Sequence, residues 1–187
     1  MFRRSAANDP PIARVIGEAL EIVRNSLQVS HCAYAARGID GAGFRLTSGI
    51  GWDPGVIGCG VLRGGPGSLV GQTVHVGRPV IVEDLRLVEA FSTEPVLEAA
   101  GIRSTLTAPV RGQRGAVDLL GLFSSERRRF TPDEADFLWG LADVIAAALY
   151  RADWRSRATV RQPSTPLPDE SAPQPGPHDA PLTSHPG

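Results

Sequence analysis

Between Gly77 and Arg129 the chain reads GRPVIVEDLRLVEAFSTEPVLEAAGIRSTLTAPVRGQRGAVDLLGLFSSERRR, and this stretch limits what it can fold into more than any other. Pro79 to Glu83 is a compact strand rich in Val and Ile, and Leu85 to Ala100 carries helical character with breaks at Ser92-Thr93 and Pro95. Gly101 stops it. Ser104 to Arg111 and Ala116 to Ser125 form the clearest strand pair, reversed at Gly112-Gln113-Arg114-Gly115, whose flanking glycines suit a tight turn. This hairpin is expected to sit centrally. A strand, a polar helical excursion and a returning hairpin in one unit put the excursion over a sheet face, which makes a pocket.

Upstream, Asp9-Pro10-Pro11 is a helix start: the carboxylate can cap free N–H groups, and proline accepts a first-turn position that needs no donor. Ile12, Val15, Ile16, Ala19, Leu20, Val23 and Leu27 then fall on one stripe, so an amphipathic helix is expected to about Gln28. Cys32 to Arg37 and Phe44 to Ile50 read as a hairpin around Gly38-Ile39-Asp40-Gly41. From Gly49 to Gly67 glycine and proline dominate, with Trp52 and Cys59 embedded, and a long loop without regular structure is expected. Ser68 to Val76 reads as a short helix.

Downstream, Thr131-Pro132-Asp133-Glu134 is a capping box that opens a long helix. Phe137, Leu138, Leu141, Val144, Ile145, Ala148 and Leu149 make its apolar stripe, and Ala142, Ala146 and Ala147 a face that another helix can approach closely. The pattern predicts a dimer helix using Leu138, Leu141, Ala142, Ile145, Ala146 and Leu149. After Arg161 the composition collapses to proline and small polar residues, with eight prolines from Gln162 to Gly187. Too little apolar surface remains to offset the entropy of ordering. The expected layout is a flexible start over 1–8, one globular domain over 9–157 and a disordered Pro-rich tail over 158–187. The element order implies an α+β domain with one sheet between two helical layers.

A chain of 187 residues is long enough for one such domain, and 42% hydrophobic with 21% charged residues are ordinary globular values. A net charge of -1 gives no electrostatic reason to expect nucleic acid or anionic lipid as partner. All nineteen cationic side chains are arginine, which removes Schiff-base, P-loop and general-base lysines from consideration. Two cysteines, Cys32 and Cys59, make no disulfide framework, and MFRRSAANDPP has no signal-peptide core behind it, so the cytoplasm is the expected compartment. No apolar run approaches the ~20 residues needed to span a bilayer.

The segment with its lead-in GSLVGQTVHVG and its exit FTPDEADFLWGLADVIAAALYR resembles a GAF domain, the small-molecule sensory module found ahead of histidine kinases, nucleotide cyclases and transcriptional regulators. The resemblance spans roughly Asp9 to Arg155, and PVIVEDLR, AGIRSTLTAPVR, LLGLFS and RRFTPDEADFL carry it. It implies a stand-alone GAF protein similar to the sensory GAF domains of bacterial histidine kinases and cyclases. The implied fold is PAS/profilin-like, a central antiparallel sheet of about six strands with the terminal helices on one face and a pocket-covering excursion on the other.

Relatives that bind cyclic nucleotides have an Asn-Lys pair where this chain has Ser124 and Ser125, although Phe130, Asp133 and Glu134 match. Haem-binding relatives take an axial histidine from the excursion, and none of His31, His75, His178 and His185 lies there. Bilin carriers use a cysteine within the pocket region, whereas Cys32 is in the first strand and Cys59 in the glycine loop. The branch that reduces free methionine sulfoxide places cysteines where this chain has Val70 and Glu98. A Cys59–His75 thiolate pair is the remaining catalytic idea, set against the usual inert role of a free cysteine. No catalytic residue, metal site or identified cofactor is expected; His178 and His185 lack ligand spacing.

Asp84, Arg86, Phe91, Ser92, Arg103 and Ser104 are the ligand-binding candidates, because they flank the excursion where helix termini and strand ends turn polar groups toward an enclosed space; Cys59 is added from the glycine loop. The structural alternative has Asp84 and Arg86 capping the excursion, Arg103 pairing with Asp84 or Glu83, and Phe91 in the core. Asp118, inside VDLLGLF, is expected to be structural and to need a partner. Arg127, Arg128 and Arg129 read as a solvated turn. The expected function is a non-enzymatic cytoplasmic sensor that binds an unidentified small molecule and signals as a homodimer to a separate histidine kinase or regulator. The alternative is an interaction or dimerisation module with a degenerate pocket. Since the pattern ends in the Pro-rich segment, the output is expected in another chain.

Overall fold

The computed structural model describes residues 10–38, 43–88, 91, 94–112 and 117–160, with the backbone alone for 156–160. The first helix, α1, spans Pro10–Leu27 and buries Ile12, Ile16, Ala19, Leu20 and Val23 on a single stripe. Gln28 ends it at φ 46°, a left-handed residue that turns the chain into the sheet. The Asp9 cap expected from sequence lies outside the described residues.

Six strands follow: β1 (His31–Arg37), β2 (Gly43–Ile50), β3 (Val61–Arg63), β4 (Val80–Val82), β5 (Ser104–Arg111) and β6 (Val117–Ser124). They form one antiparallel sheet in the order β3-β2-β1-β6-β5-β4. Between β3 and β4 lies α2 (Leu69–Val76), and between β4 and β5 lie a 3-10 turn (Leu85–Leu87) and α3 (Pro95–Ala99). The last helix, α4, spans Pro132–Val160.

β1 and β6 occupy the middle of the sheet and bury side chains on both faces. On one face Cys32, Tyr34, Ala36, Leu106, Ala108, Val110, Leu120 and Leu122 pack against the buried stripes of α1 and α4. On the other, Ala33, Ala35, Phe44, Leu46, Leu62, Leu119 and Phe123 pack against Leu69 and Val70 of α2 and Leu97 of α3. Alternation along each strand therefore sorts two cores, and each fully buried Leu or Ile contributes ~1.5–3 kcal/mol. Pro109 is accommodated inside β5 because β4 pairs only as far as Thr107, so the missing N–H removes no ladder bond from that side.

Two expectations change. The glycine-rich stretch is not free of regular structure: β3 lies in it, paired Gly43↔Arg63, Phe44↔Leu62 and Arg45↔Val61. Three residues between glycine-rich flanks carry too little alternation to be seen. The stretch is also packed, since the Trp52 indole donates to Cys32 O at 3.0 Å and meets Phe123 edge-on at 5.3 Å. Secondly, α4 takes in Ala158 to Val160, which composition assigned to the tail. Residues 1–8 and 161–187, with their expected disorder, and the turn residues 39–41 and 113–115 lie outside the described residues.

Candidate functional site

A cavity of about 490 Å³ lies under the segment between β4 and β5, lined by Leu69, Leu85, Arg86, Val88, Phe91, Glu94, Leu97, Glu98, Gly101 and Ile102. Its volume falls within the ~300–1,000 Å³ of small-molecule sites. Hydrogen bonds fix the start of this segment. Asp84 caps the 3-10 turn by accepting Arg86 N–H at 3.1 Å, and Leu85 N–H donates to Arg103 O at 2.6 Å. Pro95 starts α3, and Gly101 leaves it at φ 65°, a conformation that favours glycine.

The polar groups of the cavity sit at two depths. Arg86 and Glu98 are exposed at its rim, whereas Glu94 is 5% exposed. Both Glu94 carboxylate oxygens accept the same backbone N–H, that of Arg63, at 3.1 and 3.2 Å. Burial pushes the Glu94 carboxyl above its ordinary range, with the Arg63 N–H and charge opposing that shift.

The sequence candidates separate on this map. Arg86 and Phe91 line the cavity. Asp84 is buried and forms an ion pair with Arg103, the pairing foreseen for the strand entry; it lines instead a shallower hollow of about 380 Å³ on the other side of Val88 and Phe91. The Arg103 hydrogen bond is the main reason that the Asp84 carboxyl is held below its usual range. Ser104 belongs to the helix-side face of β5, where its hydroxyl lies 2.8 Å from Glu83 O and 2.7 Å from Glu126 O and accepts Arg128 N–H at 2.6 Å. Cys59 is exposed in the loop before β3 and lines neither hollow. Ser92 lies outside the described residues. Glu94 and the apolar lining other than Phe91 were missed; the signal for Glu94 was there in Glu94-Pro95, an acid directly before a proline at a helix start.

The dimer-helix stripe is used differently from the expectation. Leu138, Ala142, Ile145 and Leu149 are buried in the core formed with α1 and the sheet, and Leu141 and Ala146 pack against its margin. The exposed large apolar side chains of α4 are Phe137, Val144, Tyr150 and Trp154, the last two bordering a hollow shared with Pro11, Ile12 and Val15 of α1. Arg128 is also not solvated: its guanidinium donates to Leu27 O at 2.7 Å and to Glu134 Oε1 at 2.5 Å, and lies 4.8 Å from the Phe130 ring. Asp118 finds its partners, accepting from Tyr34 Oη at 2.5 Å and Arg37 N–H at 2.8 Å.

The GAF domain family model matches residues 11–149, most of the chain. The chain belongs to the GAF domain family. Solved structures share this GAF fold at low identity. The GAF domain of a phosphoenolpyruvate-protein phosphotransferase from Coxiella burnetii is 19% identical, with a TM-score of 0.67 over 82% of this chain and 90% of that one. The blue-light absorbing form of the PixJ GAF domain from Thermosynechococcus elongatus is 17% identical, with a TM-score of 0.68 over 86% and 96%. The second GAF domain of DevS from Mycobacterium smegmatis is 16% identical, with a TM-score of 0.63 over 79% and 99%. Among curated proteins none matches the chain.

GAF domains are sensory and regulatory modules. In this GAF domain burial pushes the Cys32 thiol up to about 11, far from a thiolate at neutral pH. Among the described residues no group of His, Cys, Asp and Glu could hold a metal ion, and no helix is long and apolar enough to cross a membrane.

Proposed function

We propose that this GAF domain is a non-enzymatic cytoplasmic sensor that holds a small molecule between Leu69, the Leu85–Ile102 segment and the sheet, and reports occupancy through α1 and α4 to an output protein such as a phosphorelay component. The observation that carries the reading is the cavity of about 490 Å³, whose wall combines apolar side chains with the charged Arg86, Glu94 and Glu98.

A route for the signal is supported by the bonding around Ser104. Its hydroxyl contacts Glu83 O, at the entrance to the roof segment, and accepts Arg128 N–H. The Arg128 guanidinium contacts Leu27 O at the end of α1 and Glu134 in the first turn of α4. A ligand that prefers one placement of the roof therefore biases the pairing of the terminal helices; equal affinity for both placements would shift nothing. The test is mass spectrometry of the native protein for a retained molecule, combined with hydrogen exchange. Binding is expected to protect amides in Leu85–Ile102 and to alter exchange at Leu27 and in the first turn of α4. Protection confined to the roof segment would leave a binding module without signalling.

A second reading, an interaction module, has its own support. Phe137 at 38%, Val144 at 53%, Tyr150 at 57% and Trp154 at 66% exposure lie on α4, apolar side chains that could meet a partner or a second copy.

A further inference from the structure

Glu94 is an under-used acceptor. An ionised carboxylate offers about four acceptor positions, and among the described residues the one hydrogen-bond donor that reaches it is the Arg63 N–H, shared between both oxygens. One amide does not compensate the desolvation of a full charge, which costs several kcal/mol per ion. At 5% exposure Glu94 has little direct contact with bulk solvent.

Glu94 is one of the residues that line the cavity. Leu69, Leu85, Phe91, Leu97 and Ile102 give its apolar wall, while the rim charges, Arg86 and Glu98, are of opposite sign. The rim therefore gives no strong preference for the sign of an arriving molecule, and the inner end does. A guest whose inner end carries N–H donors and positive charge can satisfy Glu94. A carboxylate at that end would meet a like charge.

We propose that the cavity takes a small organic amine, with its ammonium group inserted first to pair with Glu94 and its apolar body against Leu85, Phe91, Leu97 and Ile102. The assignment rests on the sensor reading of this cavity and adds the chemical class and orientation of the guest. Glu94 thereby has two roles: it anchors α3 to β3 through Arg63 N–H, and it selects the guest.

The test uses three probes with one apolar body, 4-phenylbutylamine, 4-phenylbutanamide and 4-phenylbutanoate, titrated into the full chain at neutral pH by thermal shift and calorimetry. The amine is expected to raise the melting temperature and to bind more tightly than the other two by about tenfold or more, the scale of a charge-assisted hydrogen bond. Glu94→Gln keeps an oxygen acceptor for Arg63 N–H and removes the charge, and is expected to abolish that preference. The probe comparison is made on the unaltered chain, so it stands even where the variant fails to fold. Amide or carboxylate binding as well as the amine overturns the amine assignment and leaves the sensor reading in place. An amine preference unchanged in a folded Glu94→Gln protein overturns the role of Glu94. Failure of all three probes overturns the amine assignment, and it counts against the sensor reading only where native mass spectrometry also finds the cavity without a retained molecule.

Discussion

Ser104 Oγ accepts the backbone N–H of Arg128 at 2.6 Å, joining the first residue of β5 to the turn that grips both terminal helices. The same hydroxyl is within 2.8 Å of Glu83 O, at the start of the roof segment. Ser104→Ala leaves the Arg128 N–H without this acceptor in a buried site. A loss of ~1–3 kcal/mol in urea-unfolding stability is expected. Loss of exchange coupling between the roof and Leu27, in a protein that still binds its ligand, would tie the contact to signalling as well as to stability.

Gly121 and Gly17 make opposite predictions from the same substitution. A Cβ at Gly121 would lie 2.6 and 2.7 Å from atoms of the Phe123 ring, which in turn packs against Trp52. Gly121→Ala is expected to destabilise by ~1–3 kcal/mol through overpacking, with a change in tryptophan fluorescence. Gly17, inside α1, has no such neighbour. Gly17→Ala is expected to stabilise by ~0.5–1 kcal/mol.

Asp84 and Asp118 respond to acid with opposite sign. The Arg103 hydrogen bond holds the Asp84 carboxyl low, so the unfolded chain takes up that proton first as pH falls. The stability it contributes is present above the ordinary carboxylate range and is lost as pH falls through the depressed folded value. Burial raises Asp118 despite the donors from Arg37 and Tyr34, so the folded chain holds that proton longer, and stability declines as pH rises through the window between the ordinary and raised values. Urea midpoints measured across the carboxylate range should therefore show a shallower acid loss in Asp84→Asn than in the unaltered chain. Asp118→Asn should remove the opposing decline.

Neighbouring positions on α4 separate core from exposed surface. Ile145 is fully buried and Val144 is 53% exposed. Ile145→Ala is expected to cost ~2–5 kcal/mol, and Val144→Ser to stay within ~0.5 kcal/mol. If copies of the chain meet through the outward face, Val144→Asp with Trp154→Asp shifts sedimentation toward the single chain without lowering stability. An unchanged sedimentation profile removes this face from the dimer.

The elements with strong periodicity were legible from sequence. α1, β5, β6 and the start of α4 follow directly from their apolar spacing, and the capping box is realised as Thr131 N–H to Glu134 Oε2 at 2.7 Å and Glu134 N–H to Thr131 Oγ1 at 3.2 Å. β3 was not legible, because its assignment depends on β2 lying beside it. The apolar stripe of α4 was visible, but not what it faces: a pattern specifies which side chains leave water and says nothing of whether the cover comes from the same chain. Ser104 and Glu94 illustrate the corresponding limit at the site. Their roles depend on which sheet face or loop they turn toward, fixed by contacts across 24 and 31 positions of sequence.

The two outermost strands of the sheet, Val61–Arg63 and Val80–Val82, have three residues each, and the Arg63 amide is already engaged by Glu94. A margin so brief offers almost no ladder for a foreign backbone to extend. Association by strand addition, which is slow to reverse once many amides interlock, is thereby closed off at both borders. Any contact with another chain is left to side chains, with no backbone ladder to lock it in place.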